Sequence, residues 1–348
     1  MLNTSQAVIQ QVSAHFVGNV SNGDALVLGD ATVNVADEKL QDLLCTYFLS
    51  NFSSPEFFAF TFSNDDFTLN PVYQFVVDML AHDDAFHENS IHLAKHLVGA
   101  SQHPNIKAGD FYVASISGIV VDEKVVNAIG IFKSENKETY LKLKGAKGKF
   151  TLQADEGTNV RKLDKGCLIL NMDQNAGFKI CIVDNANAQE AQFWKQSFLN
   201  VKPWSDAFHH TQNFMSLTKH YVADQLEEEF SVSRADQIDL LNRSVNFFKN
   251  REQFDQREFE TEVLADADVI ESFRKFGKDY AQNFNVDIED SFEISAQAVK
   301  RQARVFKSVL KLDKNFHVYI HGNRELIEKG FDEVTGKHYY KIYFDQES

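Results

Sequence analysis

The chain has 348 residues, 43% of them hydrophobic, and its 50 acidic and 35 basic side chains give a net charge of −15. This length allows two or three domains with separate cores, because a single core rarely grows beyond about 250 to 300 residues. The three cysteines, Cys45, Cys167 and Cys181, have no metal-ligand or redox spacing, which argues against a disulfide scaffold and for a reducing compartment.

The N-terminal sequence shows no targeting pattern. A positively charged region followed by an apolar one is missing there, and no run of about 18 apolar residues occurs in the chain. We therefore expect a cytoplasmic protein that is not secreted by this route and does not span a membrane. The net negative charge of the whole chain does not exclude binding to nucleic acid, because binding depends on the charge of the face that makes the contact.

The N-terminal part alternates strand and helix patterns. Residues 7–17 predict a strand, 35–52 an amphipathic helix, and 69–101 one broken helix or two consecutive helices. Asn70 before Pro71 fits an N-cap and the first helical position. From residue 110 the period changes to two, which predicts an antiparallel meander of six strands at 110–123, 124–135, 139–145, 149–155, 165–172 and 178–185.

After residue 188 the pattern is helical as far as residue 284. Ser233 ahead of Asp236 is typical of a capped helix start. Between residues 224 and 290 there are 18 acidic and 8 basic side chains, a net charge of −10. The last part returns to strand patterns at 316–322, 325–336 and 338–344.

These patterns predict an α+β protein in three parts. Residues 1–188 would form a mixed α/β domain with an antiparallel sheet, and 189–290 an acidic helical region. Residues 291–348 would contain a basic segment and a small C-terminal antiparallel β unit.

The basic segment, residues 295–324, departs from the acidic average. Its single acid is Asp313, and its net charge is +6 because it contains Lys300, Arg301, Arg304, Lys307, Lys311, Lys314 and Arg324. No acidic residue is interleaved to give the ion pairs that solvated helices commonly use. A polyanion is the expected partner, and nucleic-acid phosphate is the leading candidate.

Two geometries would concentrate this charge. A single helix over residues 295–314 would place most of the cations in a stripe on one face. Alternatively, the helix ends near Arg304 and residues 304–312 form a strand, in which Lys307 and Lys311 share a face.

A second basic stretch lies in the meander, where residues 133–165 have a net charge of +4. Its tip, residues 145–149, lacks the Gly-Lys-Ser/Thr arrangement of a phosphate-binding loop. A lysine-rich hairpin tip is commonly a solubilising turn, but it can also lie beside a duplex backbone. The candidate second contact therefore consists of Lys142, Lys144, Lys147 and Lys149.

Catalytic and metal patterns are weak. His92 and His96 have helical spacing, but no Glu follows His92 as zinc-peptidase chemistry requires. The triplet Asp122, Glu123 and Lys124 resembles the carboxylate and lysine set of metal-dependent nucleases, although such a triplet is also common in a turn. We therefore expect no catalytic residue, metal site, cofactor or small-molecule substrate, and a nuclease is the third-ranked alternative.

The C-terminal third carries a family resemblance. It lies in residues 272–295, with Phe273 and Tyr280 seven positions apart, and in the closing strand-turn-strand at 330–344. These residues resemble the 37-kDa nucleoid-associated protein family of bacteria, the NdpA/YejK type. The resemblance implies association with the nucleoid and binding to DNA, in particular to duplex DNA, with no established enzymatic activity and no cofactor.

The favoured hypothesis is a cytoplasmic, nucleoid-associated protein that binds the DNA backbone with weak sequence preference. The expected contacts are those of the basic segment, with the lysine hairpin as a second contact, and homodimerisation is compatible with this hypothesis. The alternative is a self-association module in which the acidic helices bind the basic segment of the same or another copy.

Overall fold

A computed structural model describes residues 2–52, 56–101, 103–146, 149–185, 193–284, 286–304, 306, 309–320 and 324–346. The chain divides into two compact units, Met1–Trp204 and Ser205–Ser348. Helices and antiparallel sheets occur in both units, which confirms the predicted α+β class. The division into three folding domains stays a prediction.

In the N-terminal unit, strands β1 to β10 span Leu2–Asn3, Val8–Val17, Phe57–Phe60, Gly109–Val121, Lys124–Ser134, Glu138–Ala146, Lys149–Gly157, Lys165–Leu170, Lys179–Asp184 and Val201–Pro203. Helices α1 to α3 span Glu38–Leu49, Pro71–Ala81 and Phe86–Ala100, and a π-helical segment spans Phe193–Leu199. Single 3-10 turns lie at Val20–Asn22, Ser63–Asp65, Phe67–Leu69, Asp83–Ala85 and Gln174–Ala176.

The main sheet of this unit is antiparallel, with the order β1-β4-β5-β8-β9-β3-β10, and β2 also pairs with β4. Its two faces are both covered. One face packs against α2, α3 and the π-helical segment through residues such as Phe111 and Ile169, and the other packs against α1 through Phe48 and Phe132. Because both faces are covered, β8 is buried along its whole length, as its apolar run Cys167–Leu170 requires.

Strands β6 and β7 leave this sheet. They pair only with each other in the described part of the chain, from Glu138 opposite Gly157 to Ala146 opposite Lys149. We call this two-stranded hairpin the ribbon. The predicted six strands of the meander are all present, but four of them form the sheet and two form the ribbon.

In the C-terminal unit, helices α4 to α9 span Ala207–His220, Leu226–Glu229, Arg234–Lys249, Gln256–Phe259, Ala267–Phe284 and Ala296–Ala303. Two π-helical turns lie at Tyr221–Gln225 and Glu260–Leu264, and a 3-10 turn lies at Arg324–Leu326. Strands β11 to β16 form three two-stranded sheets and span Gln253–Asp255, Ser291–Glu293, Val309–Leu312, Phe316–Tyr319, Ile327–Asp332 and Lys337–Ile342.

The core of the C-terminal unit is rich in phenylalanine. Phe214 contacts the rings of Phe248, Phe254, Phe259 and Phe273. Tilted and edge-to-face pairs of this kind add to the free energy gained by burial of the rings. The many phenylalanines of the helical region therefore pack in a core.

Both predicted helix starts are confirmed. The side-chain oxygen of Asn70 accepts hydrogen bonds from the backbone N–H groups of Val72 and Tyr73, with Pro71 at the first helical position. Ser233 and Asp236 form a reciprocal capping box at the start of α6.

Candidate nucleic-acid interface

The basic segment is not one helix. Helix α9 ends at Ala303, and the chain then forms the hairpin of β13 and β14. The second of the two predicted geometries, a helix ending near Arg304 followed by a strand, is therefore the observed one. Of the predicted contacts, Lys307 lies outside the described residues.

Helix α9 is held by its apolar side and by its N-terminus. Ala298 and Val299 are buried where the helix packs against α4. The backbone N–H of Ser295 donates to the Thr211 hydroxyl at 3.0 Å, and the amide of Gln302 donates to the Ser216 hydroxyl at 3.3 Å. This packing leaves the C-terminal end of α9 facing solvent.

Cations occupy that exposed end. Lys300 and Arg301 lie in the last turn of α9, and Arg304 is its C-cap; all three are exposed. Positive charge at a helix C-terminus is stabilised by the helix dipole. The Arg301 guanidinium lies 6.0 Å from the centre of the Phe208 ring.

The hairpin of β13 and β14 has one packed face and one open face. Leu310 is buried in a small core with Ala235 and Ile238 of α6, and Val318, which pairs with Leu310, packs against the same core. Side chains alternate between the two faces of a strand, so the residues next to Leu310 and Val318 point away from this core. Lys311 and His317 are paired across the open face and are both exposed.

Tyr319 extends this open face. It lies two positions from His317 and is 63% exposed. An aromatic ring beside cations can stack on a base or a sugar. Tyr319 is not among the contacts predicted from the sequence, although the alternation of residues 316–320 places it on the same face as His317.

Four cations of the basic segment are not neutralised by acidic side chains of the described residues. Lys300, Arg304, Lys311 and Lys314 are exposed, and no ion pair within the described ranges involves them. The intramolecular form of the self-association alternative is therefore not supported by any described contact of these four side chains.

The ribbon also has two chemically different faces. Its register places Lys142 opposite Gln153, Lys144 opposite Thr151, and Lys149 opposite Ala146. Directly paired residues share a face, so the three lysines lie on one side, which we call the lysine face. All three are exposed and, as far as the structure describes the chain, form no ion pair. The fourth predicted lysine, Lys147, lies outside the described residues.

A polar network fixes the base of the ribbon. The Asp164 carboxylate accepts the backbone N–H of Glu135 at 2.7 Å, and the backbone and side-chain N–H groups of Asn136 at 3.0 and 2.7 Å. Beside it, the Glu135 carboxylate lies 2.9 Å from Lys133 Nζ and 3.4 Å from Lys165 Nζ. Buried ions require such partners, and these bonds fix the direction in which the ribbon leaves the sheet.

The second basic stretch therefore contains two kinds of lysine. Lys133 and Lys165 are buried and paired, and Lys137 and Lys162 pair with carboxylates at 3.2 and 2.7 Å. These four have structural partners. The lysine face of the ribbon remains available for a phosphate.

The catalytic alternatives have structural explanations. Asp122 and Glu123 form the two-residue turn between β4 and β5, with φ values of 47° and 67°. On α3, the ring of His92 stacks on Phe75, and His96 Nε2 lies 3.1 Å from the carbonyl oxygen of Phe198. Among the described residues, no group of three or more His, Cys, Asp or Glu side chains could hold a metal ion.

The C-terminal unit has a cavity of about 700 Å³ with charges of both signs in its lining. Arg274 forms a two-point contact there with the buried carboxylate of Glu260, with N–O distances of 2.8 and 2.5 Å. Since Arg257 and Lys278 lie among Asp255, Asp287 and Asp290, the cavity does not concentrate positive charge as the ribbon does.

None of the helices that the structure describes is long and apolar enough to cross a membrane. No curated protein sequence matches the chain. The family model described as nucleoid-associated protein YejK matches residues 13–341, which covers nearly the whole chain and confirms the resemblance seen in the C-terminal third. The chain therefore belongs to the family of the nucleoid-associated protein YejK.

Proposed function

We propose that the protein is a non-enzymatic, cytoplasmic nucleoid protein that binds duplex DNA, mainly through the phosphate backbone and with weak sequence preference. The family supports a nucleoid-associated role. The observation that carries the proposal is a set of exposed cations in an otherwise acidic chain that form no ion pair with any described residue: Lys142, Lys144, Lys149, Lys300, Arg304, Lys311 and Lys314.

The two surfaces suit a phosphate backbone in different ways. A two-stranded ribbon fits the major groove of a duplex, and lysines on one of its faces would contact the phosphates on either side. Lys300 at the end of α9 and Lys311 on the hairpin of β13 and β14 supply compact charges that contact phosphates without reading bases. Weak sequence preference follows from this composition.

Two charge-removing variants test the proposal, one for each surface. The first is K142Q/K144Q/K149Q and the second is K300Q/R304Q/K311Q/K314Q. Each lost phosphate contact should flatten the logarithmic salt dependence of duplex binding by about 0.9, so we expect changes of roughly 2 to 3 and roughly 3 to 4. Fluorescence anisotropy with a labelled duplex at several salt concentrations measures both.

A matched control removes three exposed lysines elsewhere in the N-terminal unit, K39Q/K95Q/K124Q. It changes the net charge by the same amount as the ribbon variant, and it should leave the salt dependence unchanged. If both surface variants keep the wild-type salt dependence, or if the control loses as much as they do, these surfaces are not the contact. Cations elsewhere in the chain would then account for the binding.

A further inference from the structure

The face of the ribbon opposite the lysines is apolar and open. Leu143 pairs with Leu152, Leu141 with Ala154, and Phe150 with Gly145, so these side chains share one side. Leu141, Leu143, Phe150 and Leu152 are between 63% and 68% exposed. We call these four side chains the apolar face of the ribbon.

Such a face is unusual on a protein surface. Single exposed leucines are common, but a contiguous group of this kind marks an interaction site. A two-stranded hairpin without further packing is also only marginally stable in water. A partner that covers the apolar face would supply the packing that the ribbon lacks in the described chain.

The charges of the ribbon indicate what that partner is. The lysines all lie on the other side, and the charged residue among the apolar positions is Glu156, which pairs with Thr139 near the base. A phosphate backbone would therefore bind the lysine face and gain little from the leucines. The partner of the apolar face must itself be apolar.

We propose that the apolar face of the ribbon binds the same face of a second copy of this chain, as a two-fold symmetric dimer. A two-fold contact uses one patch twice, so a self-complementary group of leucines is sufficient to form it. Two sheets packed face to face lie about 10 Å apart, a distance that interleaved leucine and phenylalanine side chains fill.

The size and charge of the face agree with this partner. Two copies would together remove on the order of 1,000 Å² from water, which is the size at which specific interfaces begin. An antiparallel arrangement places the Glu156 end of each ribbon over the tip of the other, so the two glutamates do not meet. The lysine faces would point outward on both sides of the dimer.

The test is the mass of the full chain in solution, measured by sedimentation velocity over a range of concentrations. The variant L143T/L152T keeps residues with high strand propensity but removes a central apolar pair. The matched control K142T/Q153T changes the neighbouring pair on the lysine face. We expect the wild type and the control to be dimers, and L143T/L152T to have a dimer dissociation constant at least about tenfold higher.

The effect of salt concentration distinguishes this dimer from one held together by acidic and basic surfaces. An apolar contact should persist when the salt concentration is raised, whereas a charge-mediated contact should dissociate. The proposal is overturned if the wild type is monomeric throughout, if L143T/L152T dimerises as the wild type does, or if the dimer dissociates in high salt. It is also overturned if L143T/L152T loses duplex affinity without a change in mass, since DNA would then cover the apolar face.

A second measurement does not require removal of the leucine pair. In the full chain, L152C should be joined to a second copy by a short bismaleimide, and Q153C on the lysine face should not be. Cys167 and Cys181 are buried and Cys45 is half-buried, so the wild-type chain gives the background. Equal cross-linking of L152C and Q153C would contradict the face-to-face dimer.

Discussion

At the scale of single residues, His15 is held in its neutral form. It is 5% exposed, its Nδ1 accepts the backbone N–H of Gly29 at 3.1 Å, and its Nε2 lies 2.9 Å from the Ser90 hydroxyl. Burial, with a smaller contribution from the adjacent His87, lowers the pKa of His15 to about 4. Protonation of Nδ1 would also break the bond from Gly29, because both groups would then be donors.

This pKa predicts a loss of stability in mild acid. Below an unfolded-state pKa of about 6.5 the unfolded chain binds a proton at His15 that the folded chain does not, so the free energy of unfolding falls as the pH falls from about 6.5 to about 4. The contribution is at most about 3 kcal/mol. In H15Q, the difference in stability between pH 7 and pH 4 should be smaller than in the wild type.

Tryptophan fluorescence during urea unfolding measures this effect, because both tryptophans, Trp194 and Trp204, lie in the same unit as His15. An NMR titration of the His15 ring gives the pKa directly. A pKa near 6.5, or an H15Q variant whose stability depends on pH as that of the wild type does, would show that burial does not prevent the protonation of His15.

Residue type alone did not predict the environment of each lysine. The sequence treats Lys133 and Lys165 as it treats Lys142 and Lys144, because all four lie in predicted strands. The structure buries the first two against Glu135 and Asp184, and leaves the second two exposed. Asp184 is far from Lys165 in the sequence, so local pattern could not identify this pairing.

At the scale of elements, the ribbon shows where periodicity stops being informative. The alternation of residues 139–145 is typical of a strand with one buried face. The strand is present, but both of its faces are open because β8 takes the place beside β5 in the main sheet. Which strand pairs with which is decided by contacts between distant segments, and an alternating pattern does not contain that information.

The hydrogen bonds that Asp164 forms at the base of the ribbon lead to a prediction. Loss of its charge and loss of its hydrogen bonds should have opposite effects on the affinity for duplex DNA. D164A removes one negative charge and should strengthen duplex binding if charge alone matters. If the three hydrogen bonds to Glu135 and Asn136 position the ribbon, D164A should instead weaken binding several-fold, because the lysines are no longer held in one direction. Hydrogen exchange in residues 138–157 should also become faster.

The control is D155A, which removes the same charge from a strand of the ribbon. It leaves the hydrogen bonds of Asp164 at the base of the ribbon in place. Its carboxylate accepts the Tyr140 hydroxyl at 3.3 Å and the backbone N–H of Glu156 at 3.0 Å, and both partners lie within the ribbon. D155A should bind duplex DNA at least as tightly as the wild type. Equal gains in affinity for D164A and D155A would contradict a positioning role for Asp164.

At the scale of the whole molecule, the longer elements were predictable, whereas the short strands β1, β3, β10, β11 and β12 and the arrangement of the strands were not. The strand and helix patterns up to residue 184 and the helices after residue 206 all correspond to observed elements. The insertion of β3 between β9 and β10 was not predictable, since it joins segments more than a hundred residues apart. The predicted contacts are divided between two units, and each unit presents its own basic surface.

The central claim is that an acidic protein binds duplex DNA through local basic surfaces, and the salt dependence of wild-type binding tests it most directly. The slope of log affinity against log salt concentration, measured between about 50 and 200 mM, should be negative and at least about 3 in magnitude, the value for the three lysines of the ribbon alone. Absence of duplex binding at the lowest salt concentration, or a slope near zero, would contradict the account.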